Sequence, residues 1–269
     1  MILFPNCKIN LGLHITQKRK DGYHDLETIF YPIPLTDALE IIQNTEDAID
    51  LQVTGLAIDA SPEQNICYKA YQLLKKDFNH LPPVKIHLHK TIPSGAGLGG
   101  GSADGAFTLI LLNKKFKLGL NEDRLLGYAL QLGSDCPFFI LNQPCYATGR
   151  GEKMEKVDLD LSAYKIILVN PGIHISTPWA FSKIKPEPGR PSLKQLIKKP
   201  VAEWKNFLKN DFEAPVFEAY PELEVIREQL YAKGALYTAM TGSGSTIFGI
   251  FERSAILSFD FPSHYFIST

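Results

Sequence analysis

The sequence predicts a mixed α/β (α+β) protein organised in two parts. Three observations carry that expectation. A strand candidate, Val84–Lys90, runs through a glycine-rich stretch into a helix candidate that begins near Ala103. Strand-like and helix-like patterns alternate on both sides of this unit. The second half then repeats the alternation around a glycine turn of its own, Thr241–Ser245. A chain of 269 residues has room for one large domain or two smaller ones. The boundary is placed at the end of a strand pair, giving domains 1–158 and 159–269.

In chain order, residues 8–15 alternate in strand fashion, and Asp21-Gly22 suits a reversal after Lys18-Arg19-Lys20. Thr28–Tyr31, Ala38–Ile42 and Ile49–Val53 are further strand candidates. Between Asn65 and Phe78, Ile66, Ala70, Leu73 and Leu74 fall on one helical face. The strand Val84–Lys90 and the helix Ala103–Asn113 flank the glycine run. A second helix, Glu122–Leu132, stops at Gly133, a natural C′ residue. Tyr146–Val157 reads as two short strands.

The second half opens with the strand Lys165–Val169. Helices are expected at Thr177–Phe181, Leu193–Ile197, Ala202–Leu208 and Glu222–Ala232. Gly234–Met240 leads into the second glycine turn, and the strand Thr246–Phe251 follows. The proline-rich stretch 185–191 reads as an exposed excursion.

Composition narrows the function. Hydrophobic residues make up 45% and charged residues 21%, the balance of an ordinary globular enzyme. A net charge of −1 gives no support for a nucleic-acid or membrane-surface partner. Cys7, Cys67, Cys136 and Cys145 are scattered, with no C-x-x-C pair to suggest zinc or redox chemistry. No apolar run approaches the ~18 residues of a membrane span, and the N-terminus lacks the build of a signal peptide. A cytoplasmic protein with free thiols is the expectation.

Three constellations carry chemistry. The first is Ile92–Asp104, in which five of thirteen residues are glycine. A strand, a glycine turn and a helix start build an anion site from backbone: the first helical N–H groups lack partners and carry the positive end of the dipole. No Gly-Lys-Ser/Thr ends the run, so it is not a Walker A loop. Ser102 either caps the helix or reaches a phosphate-bound metal. Lys90 either meets the nucleotide or is a surface lysine. The second constellation is Ser134–Phe139, where Asp135 enters before an apolar run; it is either a general base or an N-cap. The third is Lys8 and Asn10, which alternation puts on one face of the first strand. They mark either a polar site or an exposed sheet face.

These segments, in their order, resemble the GHMP kinase superfamily. The resemblance rests on Pro5-x-x-Lys8-x-Asn10-Leu11, Asp21-Gly22-Tyr23-His24, the run from Pro93 to Ser102, Gly133-Ser-Asp135-Cys-Pro137-Phe138-Phe139, and Met240-Thr-Gly-Ser-Gly244. It spans nearly the whole chain. The Asp-Gly-Tyr-His and triple-glycine segments are specific to the branch that phosphorylates a cytidylyl-methylerythritol. The resemblance implies an N-terminal domain like the second domain of ribosomal protein S5, a ferredoxin-like C-terminal domain and an active site between them. It also implies that ATP donates its γ-phosphoryl, with Mg2+ held mainly by the phosphates and by Ser102 at most from the protein.

By position, the resemblance makes Asp135 the catalytic base and Lys8 its partner. ATP would be bound by Asn65, Lys90, Pro93, Ser94, Gly95, Ala96, Gly97, Leu98, Gly99, Gly100, Gly101, Ser102 and Ala103. Asn10 would orient the acceptor, and Thr177 would lie near it. His24 would bond the cytosine edge, Tyr23 and Phe181 would sandwich the ring, and Arg150 would contact the same base. Gly242 and Gly244 would close the site from the second domain. Ala103 departs from the branch, which often has a second serine there, and Ser134 replaces its usual alanine.

The loop, Lys8 and Asp135 fit many kinases of the superfamily. Only Tyr23, His24 and Phe181 argue for cytosine, so another small-molecule acceptor is the alternative. A nucleotide-sensing protein without turnover is the reading from a different class. The partners expected are the small-molecule acceptor and ATP, with no nucleic acid and no membrane, in a monomer or homodimer.

Overall fold

The computed structural model describes residues 1–46, 48–58 and 61–268. Thr269, the end of the second expected domain, lies outside them. The described residues gather into two compact units. The first comprises Met1–Lys8, Pro32–Ser94 and Gly99–Gln143; the second comprises Ile9–Tyr31, Gly95–Leu98 and the chain from Pro144 onward. The glycine run is divided between them, with its middle in the second unit and its ends in the first.

The first unit holds β1 (Ile2–Leu3), the start of β2 (Asn6–Lys18), the end of β3 (His24–Thr36), β4 (Ala38–Gln43) and β5 (Asp50–Gly55). It continues with α1 (Ile66–Asp77), β6 (Val84–Lys90), α2 (Gly100–Phe116), α3 (Glu122–Leu132) and α4 (Cys136–Leu141). Its sheet has the order β1-β4-β6-β5. β5 and β6 are parallel, with Leu51 opposite Ile86, so the chain must cross over between them, and α1 is that crossover. β6 alternates strictly: Val84, Ile86, Leu88 and Lys90 are buried, while His87 and His89 are exposed. The buried face packs with Tyr71, Leu74, Leu109 and Leu112 of the helices.

Helix ends follow local chemistry. Asn65 caps α1, its side chain accepting from Cys67 N at 2.9 Å. α2 begins three residues before the expected Ala103, with Gly99 at its N-cap. Two glycines at its start are poor helix formers, but packing overrides propensity there: a Cβ at Gly100 would stand 2.8 Å from Ile92. Ser102 is therefore the third residue of the helix, and the reading of it as the N-cap is corrected. α4 starts where the N-cap reading of Asp135 places a helix; Pro137 in its first turn needs no intrahelical N–H partner, and Cys136–Phe139 are buried.

The second unit holds most of β2 and β3, with β7 (Cys145–Gly149), β8 (Lys153–Lys156), β9 (Tyr164–Asn170), α5 (Thr177–Lys183) and α6 (Leu193–Leu196). α7 (Glu213–Ala219), α8 (Pro221–Ala232), β10 (Tyr237–Met240), β11 (Ile247–Glu252) and β12 (Phe266–Ser268) complete it. One sheet has the order β2-β3-β7-β8 and the other β10-β11-β9-β12. The second is antiparallel, and its core joins Ile167, Val169 and Phe251 to Leu223, Ile226 and Leu230 of α8. The helix expected at 202–208 is instead a 3₁₀ segment, Val201–Asn206, entered from Pro200. The short elements α7 and β12 were not foreseen.

Among the described residues no helix is long and apolar enough to cross a membrane. All four cysteines are free and buried, and burial pushes the Cys7 and Cys136 thiols up to about 12.

Glu213 of α7 accepts from Met240 N at 2.7 Å and lies 3.6 Å from Arg227. Burial raises its pKa to about 7 against both of those contacts. A raised folded-state pKa means that the native state holds the proton more tightly. The contribution to stability is therefore complete below the unfolded value near 4.5 and is lost as pH rises through about 7. From pH 5 to pH 8 the wild-type Tm should fall by roughly 5 °C relative to Glu213→Gln. Parallel slopes of Tm against pH for the two proteins would refute this.

Candidate active site

The glycine run takes its shape from three left-handed residues at alternate positions: Gly95 at φ +66°, Gly97 at +78° and Gly99 at +71°. Ala96 and Leu98 between them point into the protein and are buried. Alternation of this kind turns successive N–H groups to one side and makes an anion-binding concavity. Pro93 is half-buried and Ser94 exposed at its entrance. At its exit a Cβ on Gly101 would meet nothing within 4 Å, so the helix start is open. Ala103 is buried, and its N–H bonds to Gly99 O at 2.9 Å, inside the helix.

Within the second unit, Gly97 packs against the other glycine turn. A Cβ at Gly97 would run into Thr241 O, and one at Gly242 would stand 3.2 Å from Gly97 Cα. Thr241 Oγ1 accepts from Asn10 N at 3.0 Å and lies 3.1 Å from both Asn10 Oδ1 and Gly97 O. The Asn10 amide donates to Thr28 Oγ1 at 3.0 Å. Asn10 is only 2% exposed, so the reading of Lys8 and Asn10 as an exposed sheet face is excluded. Asn210 Nδ2 donates to Met240 O and Gly242 O at 2.7 and 2.8 Å and so holds the second turn. Gly244, at φ +92°, has no room for a side chain beside Met240 and Ile175.

In the first unit, Lys8 Nζ lies 3.6 Å from Asp135 Oδ2. Lys8 is buried, while the Asp135 side chain keeps 35% of its exposure. Asp135 stands at the N-cap of α4 but makes no side-chain cap bond, so its carboxylate faces Lys8 and solvent. Burial lowers the Lys8 pKa, and the Asp135 charge works against that shift. The Lys8 stem runs beside the glycine run: a Cβ at Gly99 would stand 3.1 Å from Lys8 Cε and 3.0 Å from Phe139. Ser102 works against burial on the thiol of Cys136, the first residue of α4. Glycine turn, ammonium and carboxylate are thus neighbours.

Lys90 is placed differently from a surface lysine. It is 2% exposed, and its Nζ bonds to Asp37 and, at 2.7 Å, to Asp104. Burial alone would lower its pKa, but the two carboxylates outweigh burial and raise it. Asn65 spends its carbonyl oxygen on the α1 cap.

The aromatic group lies in the second unit. His24 stacks on Phe181, with ring centroids 5.0 Å apart and an interplanar angle of 21°. The Arg150 guanidinium covers the exposed Tyr23 ring, 4.8 Å from its centroid. Burial, then the Lys18 charge, lowers the His24 pKa, which keeps the imidazole neutral with one donor and one acceptor. Thr177 Oγ1 lies 3.0 Å from Ser243 Oγ.

Sequence reading missed Thr241, Ser243 and Asn210, and also His174, whose ring lies 3.3 Å from where a Gly95 Cβ would stand. Thr241 and Ser243 sit within the recognised glycine turn and carried that signal. Asn210 and His174 carried none. A cavity of about 1050 Å³ also lies in the second unit, between α5, α7 and α8; its basic and acidic side chains balance, and none of the expected site residues lines it. Among the described residues no three His, Cys, Asp or Glu side chains converge as a metal cage.

Comparison with known proteins gives a consistent result. The model for the GHMP kinases N terminal domain matches residues 65–143, and that for the GHMP kinases C terminal domain matches 192–258. The 4-diphosphocytidyl-2-C-methyl-D-erythritol kinase of Bacteroides fragilis is 54% identical over 272 residues, covering 100% of this chain and 99% of that one. The Porphyromonas gingivalis protein of the same name is 48% identical, over 94% and 93%. A crystal structure of 4-(cytidine 5'-diphospho)-2C-methyl-D-erythritol kinase superposes with a TM-score of 0.78 at 32% identity, covering 93% and 90%. A mevalonate kinase structure, at 14% identity over 95% and 92%, shares the fold with a TM-score of 0.70.

Gly97 is the most constrained position of the site. Gly97→Ala combines a left-handed backbone, which costs a residue with a side chain roughly 1–2 kcal/mol, with a clash against Thr241 O. Affinity for a non-hydrolysable ATP analogue, measured by calorimetry, should fall at least about tenfold. Unchanged affinity would remove the glycine run from the nucleotide site.

Proposed function

The chain belongs to the GHMP kinase family, and from that premise we propose that it transfers the γ-phosphoryl group of ATP to the 2-hydroxyl of 4-diphosphocytidyl-2-C-methyl-D-erythritol, a step of the non-mevalonate route to isoprenoid precursors. The observation that carries the reading is the buried Lys8 beside Asp135, with its stem against Gly99. Asp135 accepts the proton of the acceptor hydroxyl as that oxygen attacks phosphorus. The Lys8 ammonium favours the ionised carboxylate and counters the charge that builds on the phosphoryl oxygens.

Donor binding falls to the run Pro93–Ala103. The N–H groups of its glycines and of the first turn of α2 hold the β- and γ-phosphates, and the helix dipole favours their charge. Asn65 offers its amide nitrogen to the nucleotide. Lys90 lies beside the nucleotide, its ammonium held by Asp37 and Asp104. Ser102 would be the side chain that holds Mg2+ bound with the nucleotide, and the ion would supply positive charge against the phosphates. Its preference for phosphate and water ligands suits a site where the hydroxyl of Ser102 is the protein's one offer.

Acceptor recognition falls to His24, Tyr23, Phe181 and Arg150. A neutral imidazole matches the donor and acceptor pattern of a cytosine edge. Tyr23 and Phe181 sandwich the ring, each face contributing through stacking, and Arg150 holds Tyr23 in place. Asn10 and Thr177 orient the methylerythritol end, and the Gly242–Gly244 turn encloses it. A domain division at 158/159, a cytoplasmic location that suits four buried thiols, and a monomer or homodimer complete the proposal.

Asp135→Asn removes the base and keeps its shape, so kcat should fall about 10²–10⁴-fold with ATP affinity kept. Lys8→Ala should fall in the same range. Full turnover in Asp135→Asn would remove it from proton transfer. For the acceptor, His24→Ala should raise the KM for the cytidylyl substrate roughly tenfold, within the range of about 1–3 kcal/mol for leaving a polar group without its hydrogen-bond partner, with the KM for ATP unchanged. An unaltered acceptor KM would defeat the cytosine assignment. Activity on mevalonate or homoserine with none on the cytidylyl substrate would defeat the choice of acceptor.

A further inference from the structure

We propose that Asp37 and Asp104, acting through the buried ammonium of Lys90, are positioning residues that fix both ends of the phosphate-binding run. The proposal rests on the reading of that run as the nucleotide seat. All three residues belong to the first unit, and none of them touches solvent appreciably: Asp37 and Asp104 are 1% exposed and Lys90 is 2%.

The connections are specific. Lys90 ends β6 on its buried face, directly before the run. Its Nζ donates to Asp37, which stands between β3 and β4, and to Asp104 Oδ2 at 2.7 Å, in the second turn of α2. Asp37 Oδ1 accepts from Thr91 N at 2.6 Å and from Ile92 N at 2.9 Å, the two residues by which the chain enters the run. Thr91 Oγ1 donates to Thr36 O at 2.5 Å. At the far end, a Cβ on Gly100 would stand 2.8 Å from Ile92 and 3.5 Å from Lys90 Nζ. One ammonium therefore ties the strand before the turn to the helix after it.

Stability alone does not account for this cluster. Burying three charges is expensive, and apolar side chains of similar volume often do as well. Two carboxylates face one ammonium, burial and then the Asp37 charge push the Asp104 pKa up to about 7 against Lys90, and Asp104 Oδ1 has no hydrogen-bond partner among the described residues. What the ions provide is direction: charge-assisted bonds fix angle and distance, where apolar packing would let the two ends of the run slide.

Asp104→Leu keeps the branched shape and removes the bond across the run. Affinity for a non-hydrolysable ATP analogue should fall about tenfold, because sub-ångström misplacement of binding groups is costly. kcat at saturating ATP and the KM for the acceptor should stay within about twofold of wild type, because Lys8 and Asp135 are untouched. Asp104→Asn, whose carboxamide oxygen still accepts from Lys90, should recover most of the lost affinity. If Asp104→Leu fails to fold, Asp37→Asn takes its place; it keeps an acceptor for the two N–H groups, weakens the hold on the ammonium, and should show the same split between KM for ATP and kcat. A lowered Tm with wild-type affinity for the analogue would reduce the cluster to a core ion pair and overturn the proposal. Gly97→Ala separates the two levels. If it abolishes analogue binding while Asp104→Leu and Asp37→Asn do not weaken it, only the positioning role falls. If Gly97→Ala also binds normally, the seat itself falls, and the proposal with it.

Discussion

The site depends on approaches so close that they leave no room for a side chain on the glycines of the run. Gly97 presses on Thr241 and Gly242, and Gly99 presses on the stem of Lys8. Only glycine permits both the left-handed turn and the approach. Each such glycine costs entropy to order, so the turn cannot hold itself. It is held by what surrounds it: Ala96 and Leu98 anchored in the protein, Thr241 with oxygens on two sides, and Asn210 spanning the carbonyls of Met240 and Gly242. The flexibility that lets the backbone come so close is removed by its neighbours, which is the condition for an electrostatic site to act without reorganising.

Two lysines in the first unit illustrate how burial is resolved in opposite ways. Lys8 has one carboxylate at 3.6 Å, and burial prevails, so its pKa falls. Lys90 has two carboxylates in direct contact; burial is outweighed and its pKa rises. The first is paired with a carboxylate that itself keeps part of its exposure to solvent. The second is a charge already spent on the scaffold. Residue type alone does not distinguish these roles, because the number and distance of the opposing charges decide them.

Much of this was legible in the sequence where the signal is periodic. β6 and α3 keep their expected bounds because alternation and a 3.6-residue period were both clean. The same alternation puts Lys90 on the face of Val84, Ile86 and Leu88, so its burial was readable. Its partners Asp37 and Asp104 were not, since 53 and 14 residues separate them from it. α4 and α7 are short, and tertiary packing rather than propensity makes them helical. α2 starts early for the same reason, on glycines that propensity would exclude. The stack of His24 on Phe181 joins residues far apart in sequence, and no local pattern announces it.

Under the proposed function, fold and acceptor are carried by different residues. A mevalonate kinase at 14% identity shares the architecture, so the architecture cannot select the acceptor. Selection must rest on side chains the fold leaves free to vary. His24, Tyr23, Arg150 and Phe181 meet that condition: none belongs to the glycine run or to the Lys8–Asp135 pair, and Tyr23 is exposed. Their physics also suits a flat, neutral heterocycle. The imidazole is kept uncharged by burial and by Lys18, so it can match a donor and an acceptor together, which an imidazolium cannot do. A site built for an acidic acceptor such as mevalonate would instead gain from a charged histidine, and the environment of His24 works against that state.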